Sequence, residues 1–427
     1  MRLPAHTQEV DMSATAHANP TGDWRDIAGS LFRLGATSYG GPAIMGVMQA
    51  ELQEKRKWVS KERFLEGLSV ANMLPGATAT QLGIFLGYAR GGWWGGLIGG
   101  LCFVVPAFFI MLALTVAYAT LGVTPIARGA LYGLGPVVIA IFAVAVYRLG
   151  RSAMSTVPEA VIGVIAAVAS IWTPLGIVAI LVLAGCAGLV LFQPKRPGAL
   201  VVVLSSALFL AVLSTAWWLN MSAPGSAVSG RIPNPNSLLD IGAYFLKVGA
   251  FTIGGGLTMI AFIQDQVVGQ FGWLTPREFI DGLALGQLTP GPVLMIAAYV
   301  GYKVAGIAGA AVAATAAFLP SFIIMLIILP ALDRVRKLAW MRAVMKGMGP
   351  AVIGVLAVSL FRLAPAALPD PIAIVILVAT LIALMVLRSG VFKLMIAGAV
   401  LGVLRSYLPV MRGFKAVGRL ITAWTTA

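Results

Sequence analysis

Histidine is almost missing from this sequence. The two that occur, His6 and His17, lie in the first 26 residues, a polar stretch without the apolar run of a cleavable signal peptide, read as a disordered tail. The apolar remainder therefore has no imidazole for a proton relay or a metal. Cysteine is as scarce: Cys102 and Cys186 each sit inside an apolar segment, which excludes a disulfide framework and a thiolate metal site and leaves two inert core thiols. No Gly-Lys dipeptide occurs, hence no P-loop, so any transport must run without ATP hydrolysis by this chain. Flavin and nicotinamide fingerprints and haem ligand sets are missing too. Neither an enzyme nor a cofactor is expected, and no metal.

Charge is also sparse, at 11% of 427 residues, against 59% hydrophobic residues and a mean hydropathy of +0.94. One soluble core cannot hide that much apolar surface, so the chain reads as an integral membrane protein. Its apolar segments are of the length that crosses a hydrocarbon core of about 30 Å as helix. The fold class expected is an all-α polytopic membrane protein. The formal charge of +15 comes from bases scattered through short loops, a topology signal and not a nucleic-acid surface.

The chain is built twice. Sliding it by 214 positions aligns Gly35 with Gly249, Gly40-Gly41 with Gly254-Gly255, Glu51 with Asp265, Gly87-Tyr88 with Gly301-Tyr302, Pro106 with Pro320 and Arg148 with Arg362. After one extra residue near Gly272, Trp58 meets Trp273, Phe64 meets Phe279, and Pro75-Gly76 meets Pro290-Gly291. Matches of Gly and Pro at irregular spacing point to duplication. The expected organisation is a tail (1–26), a first repeat (27–192), an extra helix with a linker (193–237), a second repeat (238–410) and a basic tail (411–427).

Thirteen apolar segments follow: 27–50, 64–88, 93–120, 126–148, 158–172, 174–192 and 199–218, then 238–264, 279–302, 305–332, 342–363, 368–387 and 391–408. Seven precede the second copy, so the halves have inverted topology. The basic loops at 150–153, 194–197, 333–337 and 388–393 share one side, taken as cytoplasmic. Loop 51–63, with Lys55, Arg56, Lys57, Lys61 and Arg63, conflicts with simple alternation. The conflict vanishes if 27–50 and 64–88 enter, turn and return, which predicts four re-entrant hairpins or broken helices and nine full spans. The extra bases Arg405, Arg412, Lys415 and Arg419 fit the outer C-terminus poorly.

A helix broken in hydrocarbon leaves backbone groups unpaired at several kcal/mol each, tolerable where protein, water or a ligand receives them. Four such breaks occur: Gly40-Gly41-Pro42, Pro75-Gly76, Gly254-Gly255-Gly256 and Pro290-Gly291-Pro292. Helices restarting there offer N–H donors to an anion. Around them stand Ser38, Tyr39, Asn72, Thr78, Thr80 and Gln81 in the first half, and Thr252, Gln287 and Thr289 in the second. Arg33 and Lys247, at equivalent positions seven residues before the glycine pairs, are candidate counter-charges, with snorkelling to headgroups as the bland alternative. Glu66 and Asp281, like Glu51 and Asp265, are matched acids: candidate proton couplers, or loop-edge residues paired to nearby bases. Gly91-Gly92, Gly95-Gly96 and Gly99-Gly100 recur every four residues and read as packing surface only. Arg148 and Arg362, at segment ends, read as interface anchors.

The runs F-x-x-G-x-x-S-Y-G-G-P-x-x-M at 32–45, F-x-x-G-L-x-x-x-x-x-L-P-G-x-x-x-x-Q at 64–81, and F-T-I-G-G-G, W-L-T-x-x-E-F and L-G-Q-x-T-P-G-P within 251–292 resemble the chromate ion transporter family, in its long form of two fused homologous halves. The resemblance implies export of chromate across the bacterial inner membrane with resistance as the outcome; sulfate is associated with some members. The partners expected are thus chromate or sulfate and the lipid bilayer, with a homodimer left open.

Overall fold

The computed structural model describes residues 23–39, 42–121, 124–173, 175–193, 237–252, 256, 258–331, 339–387 and 389–407. The glycines Gly40, Gly41, Gly254 and Gly255, the segment at 199–218, its linker and both termini lie outside the described residues. Among the described residues the architecture is all helical, with seven α-helices in each repeat.

In the first repeat these are α1 (Trp24–Thr37), α2 (Pro42–Met48), continuing as a π-helical stretch over Gln49–Lys55, α3 (Lys61–Met73), α4 (Thr78–Leu121), α5 (Pro125–Ala153), α6 (Val157–Trp172) and α7 (Ile177–Leu191). The second gives α8 (Leu238–Phe251), α9 (Thr258–Phe262), again running into a π-helical stretch at Ile263–Gln270, α10 (Pro276–Leu288), α11 (Ile296–Ile328), α12 (Ala339–Ala367), α13 (Pro371–Met385) and α14 (Val391–Tyr407). The duplication thus reaches down to the two π-helical stretches.

α4 is 44 residues long but is not straight. Gly92 has φ 62° and ψ −152°, and its repeat-mate Gly306 in α11 has φ 63° and ψ −152°. A side chain is strained in that region, so glycine lets the helix reverse. Past the reversal the two parts run antiparallel: a Cβ on Gly87 would overlap the Gly95 carbonyl, and one on Gly99 would stand 3.3 Å from the Gly83 carbonyl. Gly91-Gly92 is therefore a turn, against the expectation of a packing surface; Gly95, Gly96, Gly99 and Gly100 do pack closely.

The short helices form hairpins. Arg56, after the π-helical stretch, reaches Asp26 at the start of α1 at 2.6 Å, so the arm that leaves along α1 returns to the same face. Gly67 of α3 lies against the Phe85 ring of α4, and Tyr299 Oη donates to the Glu278 carbonyl at 2.8 Å, which pairs the arms of the second hairpin in each repeat. Tyr244 Oη donates to the Phe262 carbonyl at 3.4 Å and closes the remaining one. Arms of 13 or 14 residues reach about 20 Å and cannot cross about 30 Å of hydrocarbon. These are four re-entrant hairpins, and loop 51–63 returns to the face from which α1 starts.

The central helices run antiparallel: a Cβ on Gly96 would stand 3.1 Å from Leu326, and one on Gly100 2.6 Å from Phe322. The halves are accordingly inverted. Four helices are long and apolar enough to cross a membrane, in the ranges Thr78–Leu121, Pro125–Ala153, Val293–Ala331 and Trp340–Ala367. α6, α7 and α13 are shorter apolar helices, so the nine full spans expected are not all of spanning length among the described residues.

The halves are interleaved. α5 packs on α13 and α14 of the other repeat, and α12 packs on α6 and α7. Small residues every fourth position make the seams: Gly129 and Gly133 against Gly398 and Gly402, and Ala343 and Gly347 against Ala184 and Gly188. A Cβ on Gly133 would overlap the Gly398 carbonyl, so only glycine permits that approach. Arg148 Nη2 donates to the Leu384 carbonyl at 3.2 Å, and Arg362 Nη2 to the Ser170 carbonyl at 3.0 Å. The matched arginines thus cap helix ends of the opposite repeat, a role beyond the interface anchoring expected of them.

Candidate functional site

The four hairpin tips meet beside the central pair α4 and α11. Gly76 N–H donates to the Thr252 carbonyl at 2.6 Å, and its mate Gly291 N–H donates to the Ser38 carbonyl at 2.8 Å. Each second hairpin is thereby tied to the first hairpin of the opposite repeat. Gly76 has φ 129° and Gly291 φ 99°, conformations that favour glycine. Space is short as well: a Cβ on Gly291 would stand 2.6 Å from Ala107, and one on Gly76 2.7 Å from Gln81 Nε2 and closer to Ser321 Oγ. Gly256, φ 93°, lies near Val293 and Leu294 of the neighbouring tip.

The two tip pairs differ in polarity. Ala77 N–H donates to Ser321 Oγ at 2.9 Å. At the matched places stand Pro292, which has no N–H, and Ala107, which has no hydroxyl. Donor and acceptor have both gone, so neither repeat leaves a buried orphan there. Gln81 Nε2 donates to the Pro75 carbonyl at 2.7 Å, holding its own tip. Thr252 Oγ1 donates back to the Val248 carbonyl at 2.7 Å, while Thr289 Oγ1 lies 2.8 Å from the Leu285 carbonyl and 3.3 Å from Met111 Sδ. Ser38 Oγ, Thr80 Oγ1 and Gln81 Oε1 are buried with no hydrogen-bond partner among the described residues.

Of the other expected site residues, Thr78 and Gln287 are buried and Pro75 half-buried at the tips, whereas Asn72 is exposed. Tyr39 is exposed and packs on Phe392, ring centroids 5.1 Å apart. Arg33 and Lys247 lie off the buried faces of their helices. Both are exposed, the buried faces of α1 and α8 being formed by Leu34 with Gly35 and by Val248 with Gly249. Exposed cationic heads of this kind are what the snorkelling alternative expects. Ser321 and Ala107 were not among the sequence candidates; their signal is position, each following a matched mid-helix proline, Pro320 or Pro106.

All four matched acids have basic partners. Glu51 meets Lys55 at 3.2 Å and Arg56 at 3.0 Å, Asp265 meets Arg362 at 3.7 Å, and Glu66 meets Arg63 at 3.0 Å. Asp281 differs from its mate Glu66 in depth, being 5% exposed. It meets Arg277 Nε at 3.3 Å and accepts from Tyr118 Oη at 3.2 Å. Burial pushes its carboxyl up to about 6, against the opposing pull of Arg277 and of the Tyr118 hydrogen bond. Asp281 lies in the half-length α10, outside the spanning helices, on a cavity of about 380 Å³ lined also by Tyr118, Ala119, Arg128, Leu131, Arg277 and Lys303.

Inverted repeats, broken helices meeting mid-bundle, and buried polar groups at the breaks define the class: a membrane transporter. The family described as chromate transporter matches residues 25–189 and 239–403, in register with the internal repeat. The chain belongs to the chromate transporter family. It is 32% identical to a chromate transport protein of Cupriavidus metallidurans over 92% of this chain and 96% of that one. It is also 32% identical to a chromate transport protein of Pseudomonas aeruginosa (82% and 84% covered) and to a probable chromate transport protein of Synechococcus elongatus (75% and 79%). No solved structure matches the chain.

Proposed function

We propose that this chain is a secondary transporter that exports chromate across the bacterial inner membrane and so confers resistance. The observation that carries the site is the reciprocal pair of tip bonds, Gly76 to Thr252 and Gly291 to Ser38. They hold four hairpin ends together beside α4 and α11, where α4 begins at Thr78 and α11 follows the turn at Val293–Met295. Helix N-termini and the hydroxyls of Ser38 and Thr80 supply donors that suit the oxygens of a tetrahedral dianion. The tips carry no cationic side chain among the described residues, so binding there is weak enough to permit release, as conduction requires. Substrate-binding roles are proposed for Ser38, Gly76, Thr78, Thr80, Gln81, Thr252, Gly256, Gln287, Thr289 and Gly291.

Outward movement of a dianion through an inside-negative potential gains about 2 × 2.3 kcal/mol per 100 mV, so voltage alone suffices as driving force. Proton coupling, if used, falls to the buried Asp281 and not to Glu66. The second reading is transport of sulfate or another oxyanion, whose shape and charge the same donors fit. Flux in proteoliposomes with voltage and pH gradients imposed separately, using chromate with sulfate, molybdate and phosphate as competitors, tests substrate, direction and coupling together. Equal flux at zero and at imposed potential would remove the voltage-driven reading.

A further inference from the structure

The cavity around Asp281 is distinct from the hairpin tips. It lies where α4 ends, α5 begins, α10 begins and the first part of α11 reverses, at the end of α5 opposite the basic stretch 150–153. Arg128 of α5, Arg277 of α10 and Lys303 of α11 bring three cationic heads to it. Two acids answer them: Asp281 holds Arg277 at 3.3 Å, and Glu278 holds Lys303 at 2.7 Å. Arg128 has no acidic partner among the described residues. From α4 and α11 the aromatic neighbours are Tyr118, whose ring lies 5.9 Å from Lys303 Nζ, and Tyr299, 5.9 Å from Tyr118 centroid to centroid.

The inverted repeat supplies a built-in control. On the opposite face the matched positions carry Arg342 for Arg128, Glu62 for Arg277, Arg63 for Glu278, Glu66 for Asp281 and Ala89 for Lys303. Two bases and two acids balance there; three bases face two acids here. At these matched positions the balance is thus one positive charge in surplus here, beside a cavity of about 380 Å³, ample for a tetrahedral oxyanion.

We propose that this cavity is an oxyanion-binding antechamber on the outer face, in which Arg128, Arg277 and Lys303 hold a dianion in competition with the carboxylate of Asp281. Asp281 is the internal anion that occupies Arg277 until a solute oxyanion replaces it, so the station binds and lets go. This deepens the transporter reading by giving one face of the pathway a second station. It rests on that reading for its role, not for its binding.

The test uses the full-length protein carrying Leu131→Cys in intact cells and in proteoliposomes, labelled from the outer face with a membrane-impermeant maleimide. Sulfate is the probe, with chloride at matched ionic strength as the control. Sulfate is expected to slow labelling several-fold and saturably. Arg128→Gln and Lys303→Gln should raise the half-protecting concentration at least tenfold, and Asp281→Asn should lower it. Protection by chloride as good as by sulfate, or unchanged protection in both cation variants, overturns the proposal. Monodisperse elution of each variant separates lost binding from lost fold. Chromate flux measured on the same preparations separates the two readings. Absent flux with intact sulfate protection removes chromate export and leaves the antechamber, whereas normal flux without protection removes the antechamber.

Discussion

The first and second repeats fold alike and differ where it matters for chemistry. Both have four matched hairpin arms, a glycine reversal of the same φ and ψ, and an arginine that caps a helix of the other half. Yet Ala77 with Ser321 is a hydrogen-bonded pair and Pro292 with Ala107 is an apolar one. Thr80 and Gln81 lie in the first turn of α4, while Met295 and Ile296 stand at the matched places where α11 starts. Glu66 is partly open beside Arg63, and Asp281 is buried. Duplication kept the scaffold, and divergence left one of the two matched tip contacts polar and the other apolar, and sank the deep acid in the second repeat.

The largest effect should come from the tips. Gly76→Val and Gly291→Val each put a branched side chain at positive φ in a contact already too close, and each is expected to cut oxyanion flux per unit of membrane protein more than tenfold. If one variant transports normally, the tips are not equivalent parts of one site. Next is the Ala77–Ser321 pair. Ser321→Ala strands a buried N–H and should cost about 1–3 kcal/mol. Adding Ala77→Pro copies the second repeat and should recover part of it. Thermal unfolding in detergent checks both; a double variant worse than the sum of the singles would break the comparison.

A smaller effect separates the acids. Because the Asp281 carboxyl is raised to about 6, it takes up a proton as pH falls through that value, and a negative charge disappears from the antechamber. Sulfate protection of Leu131→Cys should therefore strengthen below pH 6. The trend should vanish in Asp281→Asn and persist in Glu66→Gln. Its stability sign is also defined: a raised carboxyl favours the folded state at low pH, and that contribution is lost as pH rises from about 4 through 6. Smallest is the arginine pair, where Arg148→Gln should cost about 1 kcal/mol and Arg362→Gln more, since Arg362 also faces Asp265 at 3.7 Å, read from unfolding midpoints.

Much of the fold was legible because it was written twice. Glycines and prolines at irregular matched spacing mark the repeat, an odd segment count points to its inversion, and hairpins relieve the misplaced charge of Lys55 to Arg63. The orientation of Arg33 and Lys247 was not legible from their spacing to the glycines, because distance along a helix says nothing of its face. The apolar run of Ile27, Leu31 and Leu34 does mark the buried side, and Arg33 is off it. Ser321, Ala107, Arg128 and Lys303 were missed for another reason. They reach their neighbours through tertiary packing across the two halves, and no local pattern carries that.

The seam between Gly129 with Gly133 and Gly398 with Gly402 bears on how the protein is made. α5 meets its closest-packed partner only after most of the chain has followed it, about 250 residues that take on the order of 10–50 s at ordinary synthesis rates. For that interval a glycine-lined helix waits in the bilayer with its face uncovered. Insertion must therefore finish before assembly can, and a truncated product ending between the repeats would present two such faces to quality control.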